Sequence, residues 1–101
     1  MSSFKHLSVT QLLQMTEAQP VQIVDIRDGN SFTNGHIAGA TNLNNENLAQ
    51  FISQADMDSP LVVVCYHGMS SQNAAQYLCE QGFDDVYSLD GGYSAWHEAN
   101  A

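Results

Sequence analysis

Cys65 is the residue in this sequence whose type and position are best suited to chemistry. It follows the apolar run Leu61–Val64 and opens the polar loop Tyr66–Ser71, which leads into a segment of good helix formers. A cysteine placed just before a helix faces unpaired backbone N–H groups, which lower the pKa of the thiol and favour the nucleophilic thiolate. The alternative is a cysteine buried in the core, a common fate of a lone thiol in an apolar strand. Position alone leaves both interpretations open.

The loop after Cys65 supplies groups that can hold an anionic sulfur. Backbone N–H groups from His67 to Ser71 and the hydroxyls of Ser70 and Ser71 are hydrogen-bond donors. Gly68 allows the backbone to turn inward, because it has no Cβ to obstruct a pocket. The candidate binding loop therefore consists of Tyr66, His67, Gly68, Met69, Ser70 and Ser71.

The charge of the chain limits its partners. Eleven Asp and Glu against two basic residues, Lys5 and Arg27, give a formal net charge of −9. A nucleic-acid-binding protein needs a patch of Lys and Arg to displace counterions, so nucleic acid is excluded as a partner. An anionic substrate has to be held by local dipoles or by one of the two cations.

The other reactive residue types have simpler explanations. Cys79 follows Ala75 and Leu78 at helical spacing, which predicts a core position and an inert thiol. His67 lies two residues after the first cysteine, but adjacent loop side chains point apart and no orienting carboxylate is evident, so a Cys–His dyad is not favoured. His36 is predicted to fix a turn by hydrogen bonding. No metal-ligand spacing is present, and the sequence predicts neither a metal nor a cofactor.

Alternating strands and helices must position these residues. The patterns predict helices over about 9–16, 48–55, 72–81 and 93–100, and strands over 21–25, 61–65 and 86–89, with a short strand within 37–43. This alternation indicates an α/β fold with a mostly parallel central sheet of about five strands and helices on both faces. Asp25, Cys65 and Asp90 then end strands at the carboxyl edge, where reactive groups gather. We expect Asp25 to be a hydrogen-bonding anchor and Asp90 to cap the last turn.

Length and hydropathy set further expectations. A chain of 101 residues has room for one domain, residues 1–101. The longest apolar run, Leu61–Tyr66, is far shorter than the roughly 20 residues that span a bilayer, so no membrane association is expected, and the first residues lack the apolar segment of a signal peptide. Two cysteines are too few for a disulfide scaffold. The expected location is the cytoplasm, where both are thiols.

Four segments together resemble the rhodanese family in its single-domain form. They are Val24-Asp-Ile-Arg27, Gly35-His-Ile-Ala-Gly-Ala40, Cys65-Tyr-His-Gly-Met-Ser-Ser71 and Asp90-Gly-Gly-Tyr-Ser-Ala-Trp96. They occur in the order of the family and cover nearly the whole chain. The resemblance implies a rhodanese-like fold and thiosulfate sulfurtransferase activity. Cys65 would take the outer sulfur of thiosulfate, expel sulfite and become a persulfide, from which cyanide or a dithiol protein such as thioredoxin accepts the sulfur.

The resemblance also suggests a role for Arg27. It occupies the position at which tandem-domain relatives have an arginine near the pocket entrance, which makes it a candidate contact for the sulfonate end of thiosulfate. An ion pair with Asp28 or another acid is the interpretation we favour.

Two other classes of function are alternatives. A persulfide carrier charged by another protein needs the same thiolate and loop, so the sequence does not separate it from an enzyme. A phosphatase-like or non-catalytic binding module is the other alternative. Phosphatase relatives carry Cys-x5-Arg, in which the arginine clamps an oxyanion. Here the sixth residue after Cys65 is Ser71, followed by Gln72, so phosphoryl chemistry and arsenate reduction are not expected.

Overall fold

A five-stranded parallel sheet forms the centre of the protein, described for residues 3–100 in a computed structural model. The strands are β1 (Lys5–Leu7), β2 (Gln22–Asp25), β3 (Thr41–Asn42), β4 (Leu61–Val64) and β5 (Val86–Leu89). Their order is β1-β5-β4-β2-β3, and every neighbouring pair is parallel. The predicted α/β class with a parallel sheet is confirmed. Residues 1, 2 and 101 lie outside the described range.

Helices cover both faces of the sheet. They are α1 (Val9–Ala18), α2 (Gly29–Asn34), α3 (Leu48–Gln54), α4 (Ser70–Glu80) and α5 (Gly92–Ala99). On one face, Val63 packs with Phe51 of α3 and Leu78 of α4. On the other face, Val62 and Val64 pack with residues of α1 and α5. The central strand β4 is therefore apolar at every position, as expected for a strand buried on both faces.

Local signals in the sequence set the bounds of the longer helices. Ser8 and Gln11 form a capping box, in which each side chain accepts a hydrogen bond from the backbone N–H of the other, and α1 begins there. Helix α4 ends before Gly82, whose φ of +115° is a conformation that favours glycine. These bounds lie within two residues of the predicted ones.

The sequence patterns predict neither β1 nor α2. Strand β1 has three residues and forms because its backbone pairs with β5, with His6 opposite Ser88. Helix α2 has six residues and begins at Asp28, whose carboxylate accepts a hydrogen bond from the N–H of Ser31 at 3.1 Å. Both elements depend on partners elsewhere in the fold or on one capping bond, so hydrophobic periodicity does not reveal them.

None of the helices found between residues 3 and 100 is both long enough and apolar enough to cross a membrane.

Candidate active site

Cys65 lies directly after β4, at the start of the loop that leads into α4. The central position of β4 places it at the carboxyl edge of the sheet, between the loops that follow β2 and β5. The residue is 3% exposed. A residue buried to this extent is closed to a broad surface.

The first turn of α5 fixes the orientation of the backbone around Cys65. The N–H of Tyr93 donates to the carbonyl of Cys65 at 2.7 Å, and the N–H of Ser94 donates to the carbonyl of Tyr66 at 3.0 Å. In a trans peptide the C=O and the following N–H point in opposite directions. Because the Tyr66 carbonyl faces α5, the N–H of His67 turns away from α5, and it is one of the groups that lower the pKa of the Cys65 thiol.

Glycines allow this close approach between the loop and the turn after β5. At Gly92, with a φ of +58°, a Cβ would lie 2.6 Å from the carbonyl carbon of Tyr66 and 2.7 Å from the nitrogen of His67. At Gly68, with a φ of +90°, it would lie 2.8 Å from the nitrogen of Gly91. The expectation that Gly68 keeps a pocket free is therefore replaced by a different reason: its backbone packs against the turn after β5.

Hydrogen-bond donors converge on the sulfur of Cys65. The N–H of Gly68 donates to Sγ at 3.0 Å, and Ser71 Oγ lies 3.3 Å from Sγ. Burial by itself raises the pKa of the Cys65 thiol. The hydroxyl and N–H of Ser71, with the N–H groups of Gly68 and His67, outweigh that effect, so the pKa lies below its ordinary value. The arrangement favours a buried thiolate.

Behind Ser71 lies a second buried hydroxyl that the sequence analysis does not single out. Ser88 Oγ on β5 is 2.7 Å from Ser71 Oγ, and both residues are 0% exposed. The only signal in the sequence is a serine within the otherwise apolar or aromatic strand Val86–Leu89.

The remaining loop side chains lie outside this cluster. Met69 is 74% exposed, Tyr66 is 46% exposed, and His67 is also on the surface. The hydroxyl of Tyr66 donates to the carboxylate of Asp28, which ties the loop to the start of α2. Within residues 3–100, the Ser70 hydroxyl makes no hydrogen bond to Cys65. The side chains of the predicted loop thus divide into the buried Ser71 and an exposed group.

Arg27 forms a buried ion pair, and its partner is Asp25. Nη2 of Arg27 lies 2.7 Å from Asp25 Oδ2, its Nε donates to the same carboxylate at 3.0 Å, and the two side chains are 4% and 0% exposed. Nη2 also donates to the carbonyl of Gly35 at 2.7 Å, and the guanidinium lies 4.1 Å from the ring centroid of Tyr93. The favoured interpretation of Arg27 as a member of an ion pair is confirmed, with Asp25 rather than Asp28 as the acid. Asp25 is also the hydrogen-bonding anchor that the sequence predicts. The proposed contact of Arg27 with substrate stays a prediction.

Three other expectations have clear outcomes. Cys79 is a buried core residue of α4, as predicted; burial, followed by the charge of Glu80, raises the pKa of its thiol. His36 Nδ1 lies 2.7 Å from the carbonyl of Phe32 and holds the turn after α2. The prediction that Asp90 caps the last turn is wrong. Its carboxylate lies 3.0 Å from His6 Nδ1, and the residue before α5 is Gly91, with a φ of +74° and no side chain to cap the helix.

A cavity of about 500 Å³ lies beside this site rather than around the sulfur. Asp28, Asn45 and Tyr77 are among its lining residues, and Cys65 is not. Arg27 lines the cavity and lies over the ring of Tyr93, whose N–H donates to the carbonyl of Cys65. The cavity and the Cys65 loop are therefore neighbours.

Similar proteins and structures match almost the whole chain. The family model of the Rhodanese-like domain matches residues 8–99. A Shewanella oneidensis protein named thiosulfate sulfurtransferase GlpE is 88% identical over 101 residues, which cover both chains completely. A protein of the same name from Pseudoalteromonas translucida is 54% identical over 97 residues, 96% of this chain and 92% of that one. The solution structure of a rhodanese-like domain from Anabaena matches with a TM-score of 0.83 at 26% identity, and covers 100% of this chain and 77% of that one.

Proposed function

This chain belongs to the family of rhodanese-like domains, and we propose that it is a thiosulfate sulfurtransferase with Cys65 as its nucleophile. The relatives that are 88% and 54% identical over nearly the whole chain carry that enzyme name. The observation that carries the assignment to Cys65 is the convergence of N–H and hydroxyl donors on one buried sulfur. Such donors stabilise the thiolate and an anionic sulfur bonded to it.

The first half-reaction loads the enzyme. The thiolate of Cys65 attacks the outer sulfur of thiosulfate and forms a new S–S bond. The bond between the two sulfurs of thiosulfate breaks, and its electron pair leaves with sulfite. The negative charge that was on Sγ is then carried by the terminal sulfur of the persulfide, which is bonded to Sγ in the loop that contains the donors Gly68 and Ser71.

The second half-reaction unloads it. Cyanide attacks the terminal sulfur, thiocyanate leaves, and the electron pair of the broken S–S bond restores the Cys65 thiolate. A dithiol protein such as thioredoxin acts in the same way with one thiolate, and its second thiol then forms a disulfide and releases the sulfur as hydrogen sulfide. Because Cys65 is 3% exposed, the acceptor must be small or must present its nucleophile on a narrow tip.

The environment of the site agrees with these reactants and not with phosphoryl transfer. Position 71, where phosphatase relatives have arginine, holds a fully buried serine whose hydroxyl is shared between Cys65 and Ser88. Both cysteines are free thiols. We therefore propose that the enzyme works in a reducing compartment, the cytoplasm, where free thiols persist.

The experiment is a comparison of sulfite release from thiosulfate by the parent and by Cys65→Ser, with cyanide and then with reduced thioredoxin as acceptor. The parent should turn over with both acceptors, and Cys65→Ser should show no turnover while its thermal unfolding is nearly unchanged, because a serine hydroxyl does not ionise near neutral pH. Turnover in the variant would overturn the role of Cys65. If the parent releases no sulfite from thiosulfate but accepts sulfur from a protein persulfide, the protein is a persulfide carrier.

A further inference from the structure

Ser88 is a hydroxyl in a place where the fold otherwise uses apolar side chains. It lies on β5 between β1 and β4, and it shares the sheet face of Val86, which packs in the core under α4. It is 0% exposed. A buried hydroxyl costs free energy unless it is hydrogen-bonded. In the described part of the chain, the one side-chain hydrogen bond of Ser88 is to Ser71.

The hydroxyls of Ser88 and Ser71 form a chain that ends on the nucleophile. The distances are 2.7 Å between the two Oγ atoms and 3.3 Å from Ser71 Oγ to Cys65 Sγ. Ser71 is itself 0% exposed, so solvent does not compete for its hydroxyl. Two links therefore connect three polar atoms in a dry environment.

The number of hydrogens in this chain favours one ionisation state. With Cys65 as thiolate there are two hydrogens for two links: Ser88 donates to Ser71, and Ser71 donates to Sγ. With Cys65 as a thiol there are three hydrogens for the same two hydrogen bonds, and one hydrogen has no acceptor among Cys65, Ser71 and Ser88. A buried donor without an acceptor is unfavourable.

We propose that Ser88 is a positioning residue that orients the Ser71 hydroxyl as a donor to the Cys65 thiolate. Ser88 is buried, and when its hydroxyl donates to Ser71 Oγ, the hydrogen of Ser71 is left to donate to Sγ. The direction of the Cys65 pKa agrees with this arrangement, since the Ser71 hydroxyl is the strongest of the groups that lower it. The inference deepens the proposed function, because it concerns the activation of the same nucleophile.

The test is a pH titration of the Cys65 thiolate, followed by its ultraviolet absorbance in a Cys79→Ala background. Ser88→Ala should raise the pKa of Cys65 by about half a unit to one unit, a threefold to tenfold loss of thiolate at a pH below that pKa. Under the same conditions kcat/KM for thiosulfate should fall by the same factor and recover at high pH. Neither readout responds to a loss of packing alone.

Val86→Ala is the matched control, because it trims a buried side chain two residues away on the same face of β5. It should lower the melting temperature and leave the pKa of Cys65 unchanged. Ser88→Thr, which retains the hydroxyl, should keep the parent pKa. If Ser88→Ala lowers stability but leaves the thiolate titration at the parent pKa, Ser88 only fills space and the inference is wrong. The titration contains no thiosulfate, so its result is independent of whether thiosulfate is the substrate.

Discussion

One buried thiol lies before the loop that leads into α4, the other lies near the end of α4, and the two have opposite chemistry. Cys65, before α4, is 3% exposed; Cys79, near the end of α4, is 7% exposed. Burial raises the pKa of both. At Cys65 the donors of the loop outweigh burial and the pKa is lowered, whereas Cys79 has the carboxylate of Glu80 near it and its pKa is raised further.

Exposure therefore does not identify the reactive thiol in this protein. A thiolate needs donors that have no other acceptor, and these occur where a loop enters a helix. Near the end of α4 the backbone N–H groups are already used by the helix, so Cys79 has apolar neighbours and no free donors. Substitutions near Cys65 can therefore be compared with matched substitutions near Cys79.

The largest expected effect comes from Arg27→Ala, which removes a buried cation beside the Cys65 loop. Asp25 would be left as an unpaired charge at 0% exposure, so the free energy of unfolding should fall by about 3–5 kcal/mol. If Arg27 also contacts substrate, KM for thiosulfate should rise while kcat changes less. Denaturant unfolding and steady-state kinetics measure the two effects.

Lys5→Ala is the control for Arg27→Ala, because it removes the cation that acts on the Cys79 thiol. Its ion pair with Asp85 is exposed, so the free energy of unfolding should change by about 0–1 kcal/mol. Arg27→Ala with parent stability would contradict the buried ion pair. Lowered stability with an unchanged KM would limit Arg27 to a structural role.

Gly68→Ala should damage the Cys65 region alone. The new Cβ meets the backbone nitrogen of Gly91 at 2.8 Å, and the φ of +90° is unfavourable for alanine, so we expect a loss of roughly 2–3 kcal/mol. The displaced N–H of residue 68 should also raise the pKa of Cys65 and lower the rate of sulfur transfer.

Gly82→Ala is the matched variant near Cys79. It also has a positive φ, but its Cβ would meet only the sulfur of Met57 at 3.7 Å. It should cost roughly 1–2 kcal/mol and leave transfer at the parent rate. Equal losses of transfer in the two glycine variants would show that general destabilisation, and not the position of the donors, controls Cys65.

Cys79→Ala should have a small effect. Trimming one buried sulfur should lower the free energy of unfolding by roughly 1 kcal/mol, and transfer should stay within about twofold of the parent. Thermal melting and sulfite release measure both. A collapse of turnover with an unchanged melting curve would give Cys79 a chemical role and remove the contrast between the thiols.

His67→Lys is the one substitution in this series that is expected to raise activity. The protein carries a net charge of −9 and thiosulfate is an anion, so a lysine on this exposed loop should increase kcat/KM for thiosulfate. Screening limits the gain to about 1 kcal/mol, a factor of roughly five at low salt. The gain should shrink as ionic strength rises. No gain at low salt would mean either that the side chain at position 67 points away from the substrate, or that the site was not shaped to bind thiosulfate, which would favour the persulfide carrier.

The sequence predicts those parts of the molecule that depend on local pattern. The apolar run of β4, the Ser8 capping box and the spacing of Cys79 in α4 each specify an element or a face, and the structure agrees. The four family segments locate the loop around Cys65. These signals extend over a few consecutive residues, so they can be recognised without knowledge of the fold.

Features that depend on contacts between distant segments could not be predicted. The sequence does not identify the acid that pairs with Arg27, because the fold decides which carboxylate is buried beside the guanidinium. Gly68 packs against a turn that is more than twenty residues away, and Ser88 meets Ser71 only because β5 lies beside β4. The distribution of donors around Cys65 likewise depends on α5, whose N–H groups turn the loop carbonyls away from the sulfur.

The most direct test of the contrast between the two thiols is to locate the sulfur after reaction. The protein is incubated with thiosulfate alone, without an acceptor, and its intact mass and cysteine-containing peptides are measured over a range of pH. One sulfur atom should be added, on Cys65 and not on Cys79. Because the fold lowers the pKa of Cys65, loading should continue at pH values below those at which a cysteine in an unfolded chain loses its thiolate. Sulfur on Cys79, or turnover without any sulfur on Cys65, would contradict the assignment of Cys65 as the nucleophile.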